Sequence, residues 1–68
     1  MISYDPLWAT LKEKQVTTYE LIYKHNIDPK IINNLKHNKN TTLLTIEKLC
    51  RILDCGIEEV VRFTDENG

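Results

Sequence analysis

Glycine is nearly missing from this chain. Two occur in 68 residues, at positions 56 and 68, so no glycine-rich loop is on offer to cradle a phosphate. Serine occurs once, as Ser3, and no pair of carboxylates is expected to be buried, so neither a serine nucleophile with its base nor an acid/base dyad is expected, and the chain does not read as an enzyme. Cysteine is equally scarce. Cys50 and Cys55 are too few for the disulfide framework of a small secreted scaffold, and their C-x4-C spacing is neither a redox C-x2-C nor a zinc knuckle. With His25 and His37 they make four potential ligands separated by 11, 12 and 4 residues, which fits no zinc pattern. They are read as buried free thiols of a reducing cytoplasm, with no metal, cofactor or small-molecule ligand expected. No apolar run approaches the roughly 18 residues of a membrane span, and the opening residues do not read as a basic-then-apolar leader. The expected location is the cytoplasm, with no membrane partner. Net charge is missing too: nine Lys and Arg face ten Asp and Glu, for −1, where a nucleic-acid binder would ordinarily be basic.

What the chain has is leucine and isoleucine, eight of each, recurring at three and four residues, the period of helices. A chain this short is one domain, residues 1–68, that buries only roughly 60% of its unfolded surface. Its helix signals are legible. Asp5-Pro6 places an N-cap carboxylate before a proline at the first helical position, and the first helix, with an apolar stripe of Leu7, Trp8 and Leu11, ends near Lys14. Thr17 and Glu20 form an S/T-x-x-E capping box flanked by Val16 and Leu21 as a hydrophobic staple. They open a second helix that runs to about His25, with Leu21 and Ile22 inward. Asn26 follows as a left-handed terminus. Asp28-Pro29 repeats the opening device for a third helix, stapled by Ile27 and Ile32 and closing near Asn38, a second Asn at a left-handed end. After a polar loop, 39–42, Thr42 caps a fourth helix whose Leu43, Ile46, Leu49, Cys50 and Leu53 share one face. Asp54-Cys55-Gly56 is a turn, Ile57 to Arg62 a short fifth helix, and residues 65–68 a frayed tail. Ile2-Ser3-Tyr4 and Val61-Arg62-Phe63 both alternate, and short strands joining the termini are the further possibility read from them.

The third helix presents chemistry. At 100° per residue Ile31, Ile32 and Leu35 fall on one side, while Lys30, Asn33, Asn34 and His37 fall opposite with Pro29 at their edge. No acid follows the cap on that face. Asn pairs bidentately with adenine, and Lys reaches guanine acceptors or phosphate; a merely solvated face is the competing reading. Two capped helices joined by a short turn, the second carrying such a face, describe a helix-turn-helix over about 17–38.

The run V-T-T-Y-E-L-I-Y-K-H-N-I-D-P-K-I-I-N-N-L-K-H-N-K (16–39), followed by T-L-L-T-I-E-K-L-C-R-I-L-D-C-G-I-E-E-V (42–60), resembles the Cro/CI-type (XRE-type) helix-turn-helix regulators. I-S-Y-D-P-L-W near the start and V-V-R-F near the end look most like a subgroup of very short stand-alone regulators in bacteria and their phages. The resemblance covers about residues 5–63. It implies an all-α, compact five-helix, lambda repressor-like DNA-binding domain. It also implies roles: Pro29, Lys30, Asn33 and Asn34 at the base-reading positions; Thr18 at a position where the family often has a Gln touching the DNA backbone; His37, Lys39 and Asn40 in the loop that grips phosphate, where backbone N–H groups also donate. Ile27, Ile32 and Leu35 match the core positions that fix the two helices at their crossing angle. Three departures stand out. Ile22 replaces the usual Ala, Asn26 the usual Gly, and Pro29 a residue that often makes a polar contact, which shifts readout to Lys30, Asn33 and Asn34.

Other residues take plainer readings. Trp8 is core, between the first and fifth helices; Tyr19 and Tyr23 are half-exposed packing residues; His25 complements the dipole at the end of the second helix. Leu44 and Ile52 lie outside the apolar face of the fourth helix, and the last segment carries more apolar surface than a short helix needs. Because one recognition helix binds weakly and two spaced by a DNA turn bind usefully, a homodimer is expected, through Ile52, Val60, Val61 and Phe63. The function expected is that of a sequence-specific transcriptional regulator, such as a repressor, on double-stranded operator DNA. The alternative is a protein-interaction module on the same fold, an antitoxin or a partner of another regulator. The −1 charge does not oppose this: residues 10–40 hold six Lys against three acids, whereas 41–68 hold three basic residues against six acids, so the basic half contains the helix-turn-helix.

Overall fold

A computed structural model describes residues 1–65 of the chain. In order it contains β1 (Ile2–Ser3), α1 (Asp5–Lys14), α2 (Thr18–Tyr23), α3 (Pro29–Lys36), α4 (Leu43–Leu53), a single 3₁₀ turn (Ile57–Glu59) and β2 (Arg62–Phe63). The frayed tail expected over 65–68 lies, beyond Asp65, outside the described residues. The fold is the mostly helical one expected, with four helices and a two-stranded clasp.

Local capping accounts for most element starts. Thr17 and Glu20 close a reciprocal capping box around the first turn of α2, the Thr17 Oγ1 accepting from the Glu20 N–H at 3.1 Å. The Asp28 carboxylate accepts from the Lys30 N–H at 2.8 Å ahead of Pro29, and the Thr42 hydroxyl accepts from the Thr45 N–H at 3.2 Å. Each such cap satisfies a donor that the helix itself leaves open, for about 1 kcal/mol. α1 departs from expectation. Its N-cap is Tyr4, Asp5 is already helical, and the Asp5 N–H donates to Ser3 Oγ at 3.2 Å. β1 holds Ser3 where its hydroxyl takes over the capping bond, and the freed Asp5 carboxylate faces Arg62 at 3.6 Å. α2 and α3 stop at Tyr23 and Lys36, two residues or fewer before the expected ends, with Asn26 and Asn38 left-handed just beyond (φ 59° and 55°).

Gln15 and Asp54 also adopt positive φ, 58° and 50°, at the ends of α1 and α4. A residue with a Cβ is strained there by about 1 kcal/mol relative to glycine. Gln15, exposed and with its N–H donating to the Lys12 carbonyl at 3.2 Å, is the position where relief costs least. Gln15→Gly is expected to stabilise the protein by about 0.5–1 kcal/mol, raising Tm by roughly 3–6 °C in a thermal melt.

The core is one cluster in which Leu7, Leu21, Leu35, Leu49 and Val60 are fully buried, with Tyr4, Leu11, Ile27, Ile32, Ile46 and Leu53 nearly so. Trp8, Ile22, Ile31, Cys50, Ile52 and Cys55 pack half-buried around it. Two apolar expectations change here. Leu43 is exposed rather than on the packed face of α4, whereas Leu44 is exposed in keeping with its place outside that face. Val60 belongs to the core, so its side chain is withdrawn from any interface. The fifth helix is a single 3₁₀ turn. The Thr10 hydroxyl donates to the Glu59 carbonyl at 2.7 Å, which ends the turn against α1, and Arg62 and Phe63 are drawn instead into an antiparallel pair with β1, Ile2 opposite Phe63 and Ser3 opposite Arg62.

Cys50 and Cys55 are free thiols on either side of the α4 terminus, where the Cys55 N–H donates to the Cys50 carbonyl at 3.0 Å. Burial, then the nearby Cys50 and Glu59, push the Cys55 thiol above its usual range. A thiol so placed is held protonated at neutral pH and is a poor nucleophile.

Candidate nucleic-acid interface

α2, a five-residue turn and α3 form a helix-turn-helix whose turn is hydrogen-bonded throughout. The Glu20 carbonyl accepts from the N–H groups of Lys24 (2.8 Å) and His25 (3.2 Å), and the Leu21 carbonyl accepts from Ile27 (2.9 Å). Asn26 supplies the one left-handed residue. Ile27 then drops into the core, and the Asp28 carbonyl starts α3 by accepting from Ile31 at 2.9 Å. Ile32 and Leu35 seat α3, so the opposite side faces solvent. That side carries Pro29, Lys30 and Asn33 exposed and Asn34 half-buried at its margin. Among the described residues the ion pairs are Arg51–Glu47 and Arg62–Asp5. Both arginines are thus engaged with acids, while Lys30, Lys36 and Lys39 around α3 have no such partner. The one acid at the start of α3, Asp28, is occupied as its cap.

The loop after α3 is built differently from expectation. The N–H groups of His37 and Lys39 turn back to the carbonyls of Asn33 and Asn34, at 3.2 and 2.9 Å, and Asn38 to Leu35 at 3.3 Å. These main-chain donors are spent on ending the helix and do not face outward to a phosphate. The His37 ring joins them, its Nδ1–H donating to the Asn33 carbonyl at 2.8 Å, which leaves Nε2 pointing away from the helix end. The side chains of His37 and Lys39 are exposed, as is Asn40, whose N–H has no such partner among the described residues. Thr18, at the first turn of α2, is half-buried, with its neighbour Thr17 fully engaged in the capping box. Tyr19 and Tyr23 differ from their reading as packing residues. Both are exposed, and they lean on one another across one helical turn, ring centroids 4.6 Å apart.

Tyr4 is the residue that sequence reasoning missed. Only 2% exposed, it donates its hydroxyl to the Lys39 carbonyl at 2.7 Å and its N–H to Asn38 Oδ1 at 3.0 Å. Asn38 is therefore held at both ends, by its left-handed backbone and by its side chain, and the chain leaving α3 is fixed by a residue that precedes α1. An aromatic residue flanked by Ser3 and the Asp5-Pro6 signal was its only mark. Tyr4→Phe removes this one part-buried hydrogen bond and is expected to destabilise by about 1 kcal/mol. It should weaken binding of all DNA sequences alike, as measured by a melt and by titrations on matched and scrambled duplexes. Burial also raises the Tyr4 hydroxyl above its usual value of 10. The folded state then holds this proton more tightly than the unfolded state does. Stability from this group is complete below about pH 10 and declines as pH rises past it.

The model of the Cro/C1-type HTH DNA-binding domain matches residues 6–66. The chain belongs to this family. Comparison with curated proteins returns no match. Among solved structures, the Cro/C1-type chain superposes on the transcriptional regulator VanUg (Form II) with a TM-score of 0.87 at 23% identity, over 96% of this chain and 87% of that one. At that identity the likeness establishes the fold. Of the residues that the sequence singles out, Pro29, Lys30, Asn33, Asn34, His37, Lys39 and Asn40 all lie on α3 or in the loop that leaves it, with Thr18 alone contributed by α2. No helix among the described residues is long and apolar enough to cross a membrane.

Proposed function

We propose that this Cro/C1-type domain, residues 1–68 as a single unit, is a sequence-specific transcriptional regulator without catalytic activity that acts as a homodimer. In this reading α3 of each subunit enters one of two successive major grooves of a near-palindromic operator. Lys30, Asn33 and Asn34 reach base edges past Pro29, and Thr18, His37, Lys39 and Asn40 hold the phosphates. The observation that carries it is the solvent face of α3: two amide side chains and an unpaired lysine, on a helix seated by Ile32 and Leu35 and clear of acids beyond its capped start. The near-neutral net charge means that non-specific affinity is modest, so discrimination rests on these base contacts and on pairing of two copies.

Selection of bound duplexes from a random DNA pool tests it. A recovered motif with two half-sites about 34 Å apart, bound in a salt-dependent manner, is the expected result. A pool that stays unenriched while the protein co-purifies with a second protein overturns it in favour of an interaction module.

A further inference from the structure

We infer that His37 holds a DNA phosphate only in its imidazolium form, so that DNA binding takes up a proton at each bound subunit. This rests on the phosphate-holding role proposed above and adds its regulation. The inference comes from one hydrogen bond at the end of α3. Nδ1 of the His37 ring lies 2.8 Å from the Asn33 carbonyl oxygen. A carbonyl oxygen only accepts, so Nδ1 carries the hydrogen. In the neutral ring the second nitrogen, Nε2, then holds a lone pair and can only accept.

A phosphate oxygen also only accepts, so the neutral ring offers it no bond. Two routes give Nε2 a hydrogen. Moving the hydrogen across from Nδ1 keeps the ring neutral, but it sets a lone pair against the Asn33 carbonyl and forfeits the 2.8 Å bond. Adding a proton keeps that bond and makes Nε2 a charged donor, the stronger kind toward an anion. The site favours the second route. Asn33 lies in the last turn of α3, where the aligned peptide dipoles favour a cation.

The surrounding charge agrees. His37 is exposed, and among the described residues no acid lies within ion-pair distance of it. Its charged neighbours along the chain are Lys36 and Lys39, both exposed. From the segment ahead of α1 Tyr4 reaches this loop, with its hydroxyl bonded to the Lys39 carbonyl at 2.7 Å and its proton held more tightly than usual. An imidazolium at position 37 therefore finds no anion within the described part of its own subunit, and a phosphate supplies one. Histidine changes charge within the physiological range and lysine does not, so His37 is the point at which pH enters the phosphate contacts.

Fluorescence anisotropy of the full chain at constant ionic strength tests this, on the duplex recovered by the selection above and on a scrambled duplex of the same length. Affinity should be roughly five- to tenfold higher at about pH 6 than at about pH 8 for each bound subunit. The factor should be the same on both duplexes, because phosphate is common to them. His37→Gln presents a neutral donor at every pH and should flatten the profile, whereas His25→Gln, in the turn before α3, should keep it. Calorimetric titration in two buffers of different ionisation heat should read proton uptake for the unmodified chain and less for His37→Gln. Binding by the unmodified chain with no pH dependence and no proton uptake, or a His37→Gln chain that retains the profile, overturns the inference and leaves the DNA-binding reading standing. A pH effect confined to the recovered duplex also overturns it, since Nε2 would then face a base. A chain that binds neither duplex at either pH overturns both.

Discussion

Leu35→Ala should cost this protein about 3 kcal/mol and lower its Tm by roughly 15 °C. Leu35 is fully buried, near the end of α3, in the cluster that also holds Leu21 and Leu49. Truncating it removes three carbon atoms and leaves a void that 68 residues have little means to collapse into. For a chain of this length total stability is only about 3–10 kcal/mol, so the loss is a large share of what holds the fold. It also has a functional consequence. The residues on the other side of α3 are aimed by the depth at which Leu35 and Ile32 sit, so DNA affinity should fall in the population that remains folded. Ile31→Ala, at a half-buried position on the same helix, should cost clearly less than Leu35→Ala. Equal losses in the two melts would show that the depth of burial does not set the seat of α3.

Asn34→Ala and Lys39→Ala should part company. Asn34 lies at the margin of the α3 face, and its side chain offers a donor and an acceptor together, the pattern that matches adenine in the major groove. Its replacement is expected to relax discrimination at one base pair by about 1–3 kcal/mol while leaving the affinity for unrelated duplexes nearly unchanged. Lys39 is exposed in the loop beyond α3, and its ammonium can only add charge. Its removal should weaken every sequence alike and reduce the slope of log affinity against log salt by about one. Competition binding of each variant against a set of single-base operator changes, at two salt concentrations, separates the outcomes. A uniform loss for Asn34→Ala would remove that residue from base readout.

How much of this was legible follows the range of the interactions. Thr17 with Glu20, Asp28 with Lys30 and Thr42 with Thr45 are contacts across two or three residues, and the sequence carries them as spacings. Asn26 and Asn38 were legible as helix ends because their side chains tolerate a left-handed backbone. Asp54 shares that tolerance and its turn was legible too, whereas Gln15 adopts the same backbone with no such side chain to announce it. The fifth helix was misread for a related reason: Ile57–Arg62 has helical spacing, but Thr10 reaching Glu59, about fifty residues away, ends the turn early. The pairing of Ile2 and Ser3 with Phe63 and Arg62 was legible all the same, because both segments alternate. Leu43 looks like a core residue on a helical wheel and is not one, because no element among the described residues packs over that end of α4. In the candidate site, the face of α3 was legible from its period. The loop after it was not: the spent N–H groups of His37 and Lys39, and the grip of Tyr4 on Asn38, belong to three-dimensional closure.

That grip has a dynamic consequence. The clasp between β1 and β2 joins residues about sixty positions apart through very few hydrogen bonds, so it is among the last parts to form and the first to open, well before the helices exchange their amides. Tyr4 follows β1 directly. Each opening of the clasp therefore loosens the anchor of the loop beyond α3, and the order of that loop rises and falls with a fluctuation between β1 and β2.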